Sequence, residues 1–184
     1  MSENEIIRAL TETLSQPNIG KIIEQIREQY SRTLWLAGNG GSCYNVSHMA
    51  SDLEALGYDT KCLDLNIARI TAITNDYGWG KVYEYQMWHF KAQDILIVLS
   101  VHGGAVRKGE VWSNNLVKAC QVAKSKQGIV VALLGGDGGV IKGIADYSVV
   151  VPHEKAYAVE GIHSILSHLI CHKLSEIRGD SLEV

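Results

Sequence analysis

Residues 34–42 read LWLAGNGGS, an apolar run that leads into a glycine-rich turn and then into a segment of helical pattern. Glycine lets the backbone pass close to a ligand and adopt φ angles that other residues resist. The helix that follows begins with free N–H groups and a positive dipole end, which suits an anion such as phosphate. His48 and Asp52 lie one turn apart on this helix and share a face. We therefore expect the functional site of the protein at this turn and on this helix.

Composition and charge restrict the classes of protein to which the chain can belong. Its 184 residues suffice for one domain with a full core, and a net charge of −3 gives no indication of a surface that binds nucleic acid. The longest apolar runs, such as residues 95–99, are too short to span a bilayer. The acidic N-terminus lacks a signal-peptide pattern. We predict a single cytoplasmic domain over residues 1–184 that binds neither nucleic acid nor membrane.

The cysteine pattern indicates free thiols. No two of the cysteines at positions 43, 62, 120 and 171 have C-x-x-C spacing, which in a cytoplasmic protein favours the reduced form. Cys120 and Cys171 are expected to be buried as small apolar residues. Cys43, at the mouth of the glycine turn, is a candidate reactive thiol.

Strand and helix patterns alternate along the chain after an N-terminal helical segment, 3–30, that breaks near Pro17. Strands are predicted at 33–37, 60–65, 95–100, 129–134 and 147–151. Helices are predicted at 42–56, 68–74, 82–90, 115–126 and 156–177, the first with Ser42 as its N-cap and Gly57 as its stop. Continuous apolar strands are typical of parallel sheets covered on both faces. We therefore predict an α/β fold with a five-stranded, doubly wound parallel sheet in a three-layer αβα arrangement. The long loop 104–114 is expected to be functional or mobile.

Taken alone, the glycine turn and the His48–Asp52 pair each allow several interpretations. The turn is neither a P-loop, since no Lys-Ser/Thr follows, nor a dinucleotide fingerprint, since the third glycine is missing. It is either an anion site or only a tight strand-to-helix connection. The His48–Asp52 pair could bind a metal, act as an acid–base pair, or form a surface ion pair.

The last predicted helix carries four ionisable side chains in an otherwise apolar stretch: Glu160, His163, His168 and His172. Ionisable groups on a buried helix face need partners or a metal ion. His168 and His172 are one turn apart, but spacing does not decide which of the four is functional.

The chain resembles the sugar isomerase (SIS) domain family and, within it, the sedoheptulose-7-phosphate isomerases, also called phosphoheptose isomerases. The resemblance covers most of the chain and rests on an ordered set of segments. These are GNGGS at 38–42, His48 with Asp52, TNDYG at 74–78, LS-x-x-G at 99–103, GGDGG at 135–139 with Ala145-Asp146, VPH at 151–153, and Ile162-His163 followed by His168.

The resemblance implies a zinc ion held between two subunits of a tetramer, with ligands that correspond to His48, Asp52, Glu160 and His168. It also implies conversion of a ketose phosphate into its aldose isomer through an enediol. Asp52 would take a proton from carbon and His168 would relay protons at the other end. The implied substrate-binding positions are Asn39, Gly40, Gly41, Ser42, Asn75, Asp76, Ser100, Val101, His102 and Glu160.

Four departures from the family pattern bear on the substrate. The family usually has Glu at position 52 and Gln at position 160, where this chain has Asp and Glu. The family loop Ser-Thr-Ser-Gly-Asn-Ser reads SVHGGA at 100–105, so hydroxyl donors are lost. Either His102, Arg107 or Lys108 supplies charge in their place, or the substrate carries no phosphate or carries it elsewhere. A basic family residue after the first helix of the sheet has no counterpart at 56 or 57.

These observations predict a zinc-dependent aldose–ketose isomerase of a phosphorylated sugar, converting sedoheptulose 7-phosphate to a heptose 7-phosphate for lipopolysaccharide or capsule. Two alternatives stay open: a non-catalytic SIS module that binds a phosphosugar or a protein partner, and an isomerase or epimerase of a different sugar. The N-terminal helical segment has an apolar face beyond what one small sheet needs, and a shared active site requires neighbouring subunits. We therefore predict a homotetramer.

Overall fold

The computed structural model of the protein describes residues 3–107 and 109–179. The helices are α1 (Glu3–Leu14), α2 (Asn18–Glu28), α3 (Gly41–Ala55), α4 (Ile67–Tyr77), α5 (Asn114–Ser125), α6 (Gly139–Ile144) and α7 (Ala156–Arg178). The strands are β1 (Leu34–Gly38), β2 (Thr60–Cys62), β3 (Ile95–Ser100), β4 (Val106–Arg107), β5 (Glu110–Val111), β6 (Ile129–Gly135) and β7 (Tyr147–Val151). Among the described residues, no helix is long and apolar enough to cross a membrane.

Five strands form a parallel sheet in the order β2-β1-β3-β6-β7. Every residue of β1 and β3 is buried, as their unbroken apolar sequences predict. The order reverses between β1 and β3, because the chain first adds β2 on one side and then β3 on the other. In open α/β sheets, ligands bind at the carboxyl ends of the strands beside such a reversal. Here those ends are Gly38 and Ser100.

Helices cover both faces of the sheet and enclose two apolar cores, so the predicted three-layer fold is confirmed. Residues of α2, α3 and α7, including Ile22, Met49 and Leu166, pack on one face. Residues of α5 and of the segment after α4, including Leu116 and Phe90, pack on the other. The predicted break near Pro17 is also confirmed, since the N-terminal segment forms two separate helices, α1 and α2, rather than one continuous helix.

Two predicted local structures are wrong. Ser42 does not cap α3: the residue before the helix is Gly40, and the buried Ser42 hydroxyl makes no hydrogen bond. Residues 82–90 are not an α-helix, because only short 3₁₀ turns form at Trp79–Lys81 and Glu84–Gln86. Four of their side chains, those of Val82, Tyr83, Met87 and Phe90, are still buried in the core. The carbonyls of Met87 and Trp88 bond instead to the Lys126 ammonium, at 2.7 and 3.1 Å.

Two further elements have no counterpart in the prediction. The loop 104–114 contains a hairpin of β4 and β5, closed by the Trp112 N–H that donates to the Ala105 carbonyl over 3.0 Å. The six-residue helix α6 follows the glycines of 135–139. Both are too short for hydrophobic periodicity to reveal them.

Candidate active site

The turn between β1 and α3 can be made only with glycine at two positions. A Cβ on Gly38 would lie 2.7 Å from the backbone of Ser42, closer than atoms can approach, and Gly40 has a φ of +60°. The Ser42 and Cys43 N–H groups at the start of α3 already donate to the carbonyls of Asn39 and Gly40. The turn is therefore tightly closed, and the positive end of the α3 dipole faces the carboxyl edge of the sheet.

The Asn39 side chain ties this turn to α5. Its amide makes two reciprocal hydrogen bonds of 2.9 Å with the amide of Asn115, which is buried at the start of α5. The Leu116 N–H donates to Asn115 Oδ1 over 3.0 Å, and this bond fixes the orientation of both amides. Asn39, which the sequence predicts to bind substrate, thus also has a structural role, because it connects the glycine turn to α5.

Two residues that the sequence prediction missed, Asp64 and Tyr83, stand behind the same turn. Asp64 Oδ2 accepts from the Gly38 N–H over 2.9 Å. The Tyr83 hydroxyl donates to the Gly38 carbonyl over 2.5 Å and lies 3.1 Å from Asn39 Oδ1. Asp64 lies two residues beyond β2, at the carboxyl edge of the parallel sheet, where ligand-binding residues concentrate. The predicted strand 60–65 placed it inside the strand and so concealed this signal.

The loop after β3 is also closely packed. The Ser100 hydroxyl is buried and accepts from the Gly103 N–H over 3.0 Å, so it supports the turn. A Cβ on Gly103, whose φ is +56°, would collide with the Gly138 carbonyl. The His102 ring meets the Trp112 ring edge-on, with centroids 5.2 Å apart. His102 is thereby held at the rim of the site by the hairpin β4–β5.

Two cavities open at this edge of the sheet, and His102 and Val101 line both of them. The first, about 220 Å³, lies beside the glycine turn and is lined by Asn39, Gly40, Ser100, Val101, His102, Ser113, Ala156 and Glu160. The second, about 260 Å³, extends towards the hairpin and is lined by Val101, His102, Ala105, Val106, Gly135, Gly136, Asp137 and Glu154. A larger groove of about 650 Å³ runs between α1 and residues 152–155, and none of the predicted site residues lines it.

His48, Asp52 and His168 form a compact cluster where α3 and α7 pack together. Asp52 Oδ2 lies 3.5 Å from His48 Nε2 and 3.6 Å from His168 Nδ1. Asp52 is only 8% exposed, whereas both imidazoles are about half exposed. In the described part of the chain these three residues are the one group of His, Cys, Asp and Glu whose ligand atoms lie within 4.8 Å of one another. Two imidazole nitrogens and one carboxylate oxygen form a typical zinc donor set.

Glu160, the fourth residue of the predicted ligand set, does not join this cluster in the single chain. Its carboxylate lies against Gly41, where a Cβ would collide with it, and its backbone carbonyl accepts from Asn45 Nδ2 over 2.8 Å. It lines the first cavity. Glu160 and the cluster thus occupy the same contact between α3 and α7, about two helical turns apart along α7.

Other predicted residues lie outside both cavities. Asn75 and Asp76 are exposed on the last turn of α4 and bond to each other over 2.8 Å. Gly41 and the Ser42 side chain are covered by neighbouring residues rather than open to the cavities. Lys108 and the Arg107 side chain lie outside the described residues.

The remaining ionisable residues of α7 divide by environment. His163 is fully buried, and neither ring nitrogen has a hydrogen-bond partner within 3.5 Å. Burial lowers the pKa of His163 to about 4, opposed in part by the Leu134 carbonyl, so the ring is neutral at neutral pH. His172 is exposed and pairs with Glu176 over 3.2 Å. Neither histidine belongs to the cluster.

The environment of Cys43 does not activate its thiol. Burial, the Asp64 carboxylate and Cys62 all raise the pKa of Cys43, whereas a reactive cysteine needs a lowered one. Cys120 and Cys171 are buried as predicted, and burial raises the pKa of each to about 12. All four thiols are free.

Comparison with known proteins agrees with this fold, although no family model matches the chain. Phosphoheptose isomerase of Helicobacter pylori strain ATCC 700392 / 26695 is 30% identical over 172 residues, which cover 90% of this chain and 84% of the relative. Phosphoheptose isomerase of Sulfurimonas denitrificans is 35% identical over 155 residues, covering 80% and 75%. The solved structure of phosphoheptose isomerase GmhA from Neisseria gonorrhoeae superposes with a TM-score of 0.85 and 26% identity over 94% of both chains.

The three-layer fold and its superposition on a solved phosphoheptose isomerase place the chain among the sugar isomerase (SIS) domain proteins. Within that class, the chain belongs to the phosphoheptose isomerase family. The resemblance stated from the sequence is confirmed, and so is the prediction of an enzyme.

Proposed function

We propose that the protein is a zinc-dependent aldose–ketose isomerase that converts sedoheptulose 7-phosphate into a heptose 7-phosphate. The observation that supports this most strongly is the His48–Asp52–His168 cluster, formed by α3 and α7, of which α7 also lines the first cavity through Glu160. Relatives named for phosphoheptose isomerisation support the choice of substrate.

The spacing within the cluster fits a metal ion. Ligand atoms about 2.0–2.2 Å from a tetrahedral zinc ion lie roughly 3.3–3.5 Å from each other. The Asp52 carboxylate oxygen lies 3.5 and 3.6 Å from the two imidazole nitrogens, which is close to that value. These distances exceed good hydrogen bonds, so the three groups approach without bonding to one another.

We include Glu160 as the fourth ligand of the proposed site. Its carboxylate would have to turn from Gly41 along the contact between α3 and α7 to reach the cluster. Glu160 also lines the first cavity, so a substrate-binding role is available to the same side chain. Metal content separates the two roles: Glu160→Ala is expected to lower zinc affinity if the residue is a ligand, and to raise KM at full zinc occupancy if it contacts only the sugar.

The chemistry of the reaction requires one proton to leave C1 of the ketose and one to arrive at C2. In the proposed mechanism the Asp52 carboxylate oxygen that would not hold the metal accepts the proton from C1, and the same proton returns at C2 to give the aldose. His168 moves the hydroxyl proton from O1 to O2 through Nε2, the ring nitrogen that would not hold the metal, so that an enediol forms between the two steps and atoms and charge balance. A bound zinc ion would supply polarisation of the carbonyl and stabilise the negative charge that develops on oxygen.

The sugar phosphate is proposed to occupy the two adjoining cavities. The Ser100 hydroxyl oxygen accepts from the Gly103 N–H and supports the turn, and its own O–H is left to donate to a substrate oxygen. His102 lines both cavities and is the residue we propose to contact the phosphate or the hydroxyls nearest to it. Asn39 and Gly40 line the first cavity.

The test is turnover of sedoheptulose 7-phosphate by the purified protein before and after a chelator, followed by zinc readdition. We expect activity that the chelator abolishes and zinc restores. His172→Ala is the control for His168→Ala, because His172 is exposed one turn further along α7 and outside the cluster. If no heptulose phosphate is turned over by zinc-loaded protein, or if chelation leaves turnover unchanged, the proposal is wrong.

The proposal includes a homotetramer in the cytoplasm with active sites between subunits. Exposed apolar residues on α1, Ile7 and Leu14, support a role for the N-terminal helices in assembly. The four free thiols support a reducing compartment. Light scattering is expected to give four times the chain mass, and a monomer with full activity would contradict the shared site.

A further inference from the structure

The Glu160 carboxylate lies at the start of α3 rather than at the histidine–aspartate cluster. It stands against Gly41, the first residue of the helix, so closely that a Cβ on Gly41 would collide with it. Gly41 does not have a positive φ, so its backbone conformation does not require glycine. The missing side chain at position 41 therefore serves to accommodate the carboxylate. We refer to this position as the Gly41 seat.

The start of α3 favours a negative charge. The aligned peptide dipoles of a helix leave a partial positive charge at its N-terminus, which attracts carboxylates and phosphates alike. The sequence of the glycine turn predicts that an external anion binds here. In the structure a carboxylate of the chain itself, that of Glu160, occupies this end of the helix.

The same carboxylate determines the charge of the first cavity. Of the residues that line this cavity, Glu160 carries the one carboxylate, and His102 is the other ionisable side chain. A phosphate monoester has a charge of about −1.5 to −2 near neutral pH. Because like charges repel strongly where little water separates them, the carboxylate on the Gly41 seat opposes the binding of a phosphate in this cavity.

The backbone of Glu160 is fixed, so only its side chain is available to move. Asn45 Nδ2 donates to the Glu160 carbonyl over 2.8 Å, which ties α7 to α3 at this point. Rotation about the side-chain bonds of glutamate moves its carboxylate without moving the helix. A change of place of the carboxylate therefore leaves the contact between α3 and α7 intact.

We propose that Glu160 couples the metal site to the sugar-phosphate cavity. Without a metal ion its carboxylate stays on the Gly41 seat, and with zinc at the cluster it leaves the seat to become a ligand, which removes its charge from the cavity. This coupling rests on the proposed function, in which Glu160 is the fourth ligand. One carboxylate cannot occupy both places, so zinc strengthens phosphate binding and phosphate strengthens zinc binding by the same factor.

The departure at position 160 gives the coupling its charge. The family usually has Gln here, and a neutral amide on the Gly41 seat would not repel a phosphate. Glutamate has nearly the same shape but adds a negative charge that must leave the cavity before a phosphate binds. The coupling is thus a property of this chain, and Glu160→Gln is the variant that isolates it.

Amide NMR of the whole protein follows the Gly41 seat directly. We expect zinc to shift the Gly41 resonance towards its position in Glu160→Ala, and the zinc-dependent shift to be lost in that variant. Gly143, in α6 with open space around it, is the reference resonance. A Gly41 resonance that stays in place while those of His48 and His168 respond to zinc would overturn the inference.

The affinity for inorganic phosphate, measured by phosphorus-31 NMR with metal-free protein and with protein holding one equivalent of zinc, gives the coupling factor. We expect this factor to be about tenfold larger in wild type than in Glu160→Gln. Direct attraction between zinc and phosphate is present in both proteins and cancels in the comparison. Glu176→Gln, which removes a charge at the exposed far end of α7, is the control and should keep the wild-type factor. Equal factors in wild type and Glu160→Gln would contradict the coupling.

Gly41→Ala fills the seat with a methyl group. The collision is with the far end of a flexible side chain, so the carboxylate is displaced and the helix is kept. We expect zinc affinity, measured by competition with a chromogenic chelator, to rise by about twofold to fivefold, because the carboxylate loses its favourable place at the helix end. Gly161→Ala, next to Glu160 on α7 with nothing within 4 Å of the added Cβ, is the control. Equal zinc affinity of Gly41→Ala and wild type would show that the seat does not compete with the metal.

The outcomes separate the two proposals. If zinc perturbs neither His48 nor His168, the proposed function is wrong and the coupling falls with it. If zinc binds at the cluster but the wild-type coupling factor equals that of Glu160→Gln, the coupling is wrong and the proposed function stands.

Discussion

At the scale of single residues, the conformation of glycine determines how the site is built. Gly103 and Gly138 both have positive φ angles, and the missing side chain of Gly103 lets the loop after β3 pack directly against the loop before α6. Gly38 lets the first turn of α3 approach β1. Any side chain at these positions would separate the loops that line the cavities, so the glycines hold the walls of the site together.

Gly103→Ala is expected to destabilise the protein strongly. The new methyl group would meet the Gly138 carbonyl, and a φ of +56° is itself strained for alanine. The two effects together should cost about 2–4 kcal/mol of unfolding free energy in urea denaturation. Gly143→Ala, in α6 with open space around it, is the control and should change stability by less than about 1 kcal/mol. Equal stability of the two variants would show that the loops are not packed as described.

Two buried titratable residues are expected to make stability depend on pH in opposite directions. The pKa of Asp64 rises from 3.8 to about 6 on folding, so its stabilising effect is complete below about pH 4 and is lost as pH rises through 6. The shift corresponds to about 3 kcal/mol. Asp64→Asn should therefore gain stability relative to wild type between pH 4 and pH 7, as thermal or urea unfolding would show. A constant difference across that range would contradict the raised pKa.

Through His163, stability depends on pH in the opposite direction: it falls as the pH is lowered. Its pKa falls from 6.5 to about 4 on folding, so the folded state is favoured above pH 6.5 and loses about 3 kcal/mol as pH falls towards 4. His163→Gln, which has no titrating group, should lose stability less steeply on acidification than wild type. His172→Gln, at an exposed position on the same helix, is the control and should keep the wild-type slope.

At the scale of elements, the sequence predicted the sheet well because its signal is repeated. All five strands of the parallel sheet lie within three residues of their predicted bounds, and β3 and β7 match both ends. Long apolar runs such as Ile95–Ser100 have few alternatives in a globular domain. The helices α3, α5 and α7 were predicted for the same reason, since each repeats its apolar positions over several turns.

The elements that the sequence did not reveal are those without a repeated pattern. Residues 82–90 have helical spacing, but their turns are held by tertiary contacts such as the Lys126 ammonium. The hairpin β4–β5 has two residues in each strand, too few to show alternation. Asp64 and Tyr83 form part of the site only because β2 and the segment after α4 meet at Gly38.

The hairpin is expected to control sugar recognition through Trp112. Its ring contacts His102, which lines both cavities, so Trp112→Ala should free the imidazole and raise KM for the sugar phosphate. We expect an increase of about fivefold to tenfold with little change in kcat, from the loss of about 1 kcal/mol of ring contact. Trp88→Ala, at an exposed tryptophan beside Tyr85 and Lys126, is the control. A fall in kcat at constant KM would argue against a recognition role.

At the scale of the whole molecule, the site lies where three features of the fold coincide. The sheet reverses its order at β1 and β3, α3 begins at a glycine turn, and α7 returns across α3. In the sequence, the residues of the cluster are far apart, since most of the chain lies between His48 and His168. From the residues alone the ligand set stayed open, and the family resemblance selected four candidates, of which the fold brings three together.

The most direct test of this account is anomalous X-ray scattering at the zinc edge from crystals grown with zinc. We predict one peak per chain, about 2.0–2.2 Å from His48 Nε2, an Asp52 carboxylate oxygen and His168 Nδ1. Zinc-saturated crystals in which these three side chains hold no ion, or in which the peak lies among other residues, would contradict it.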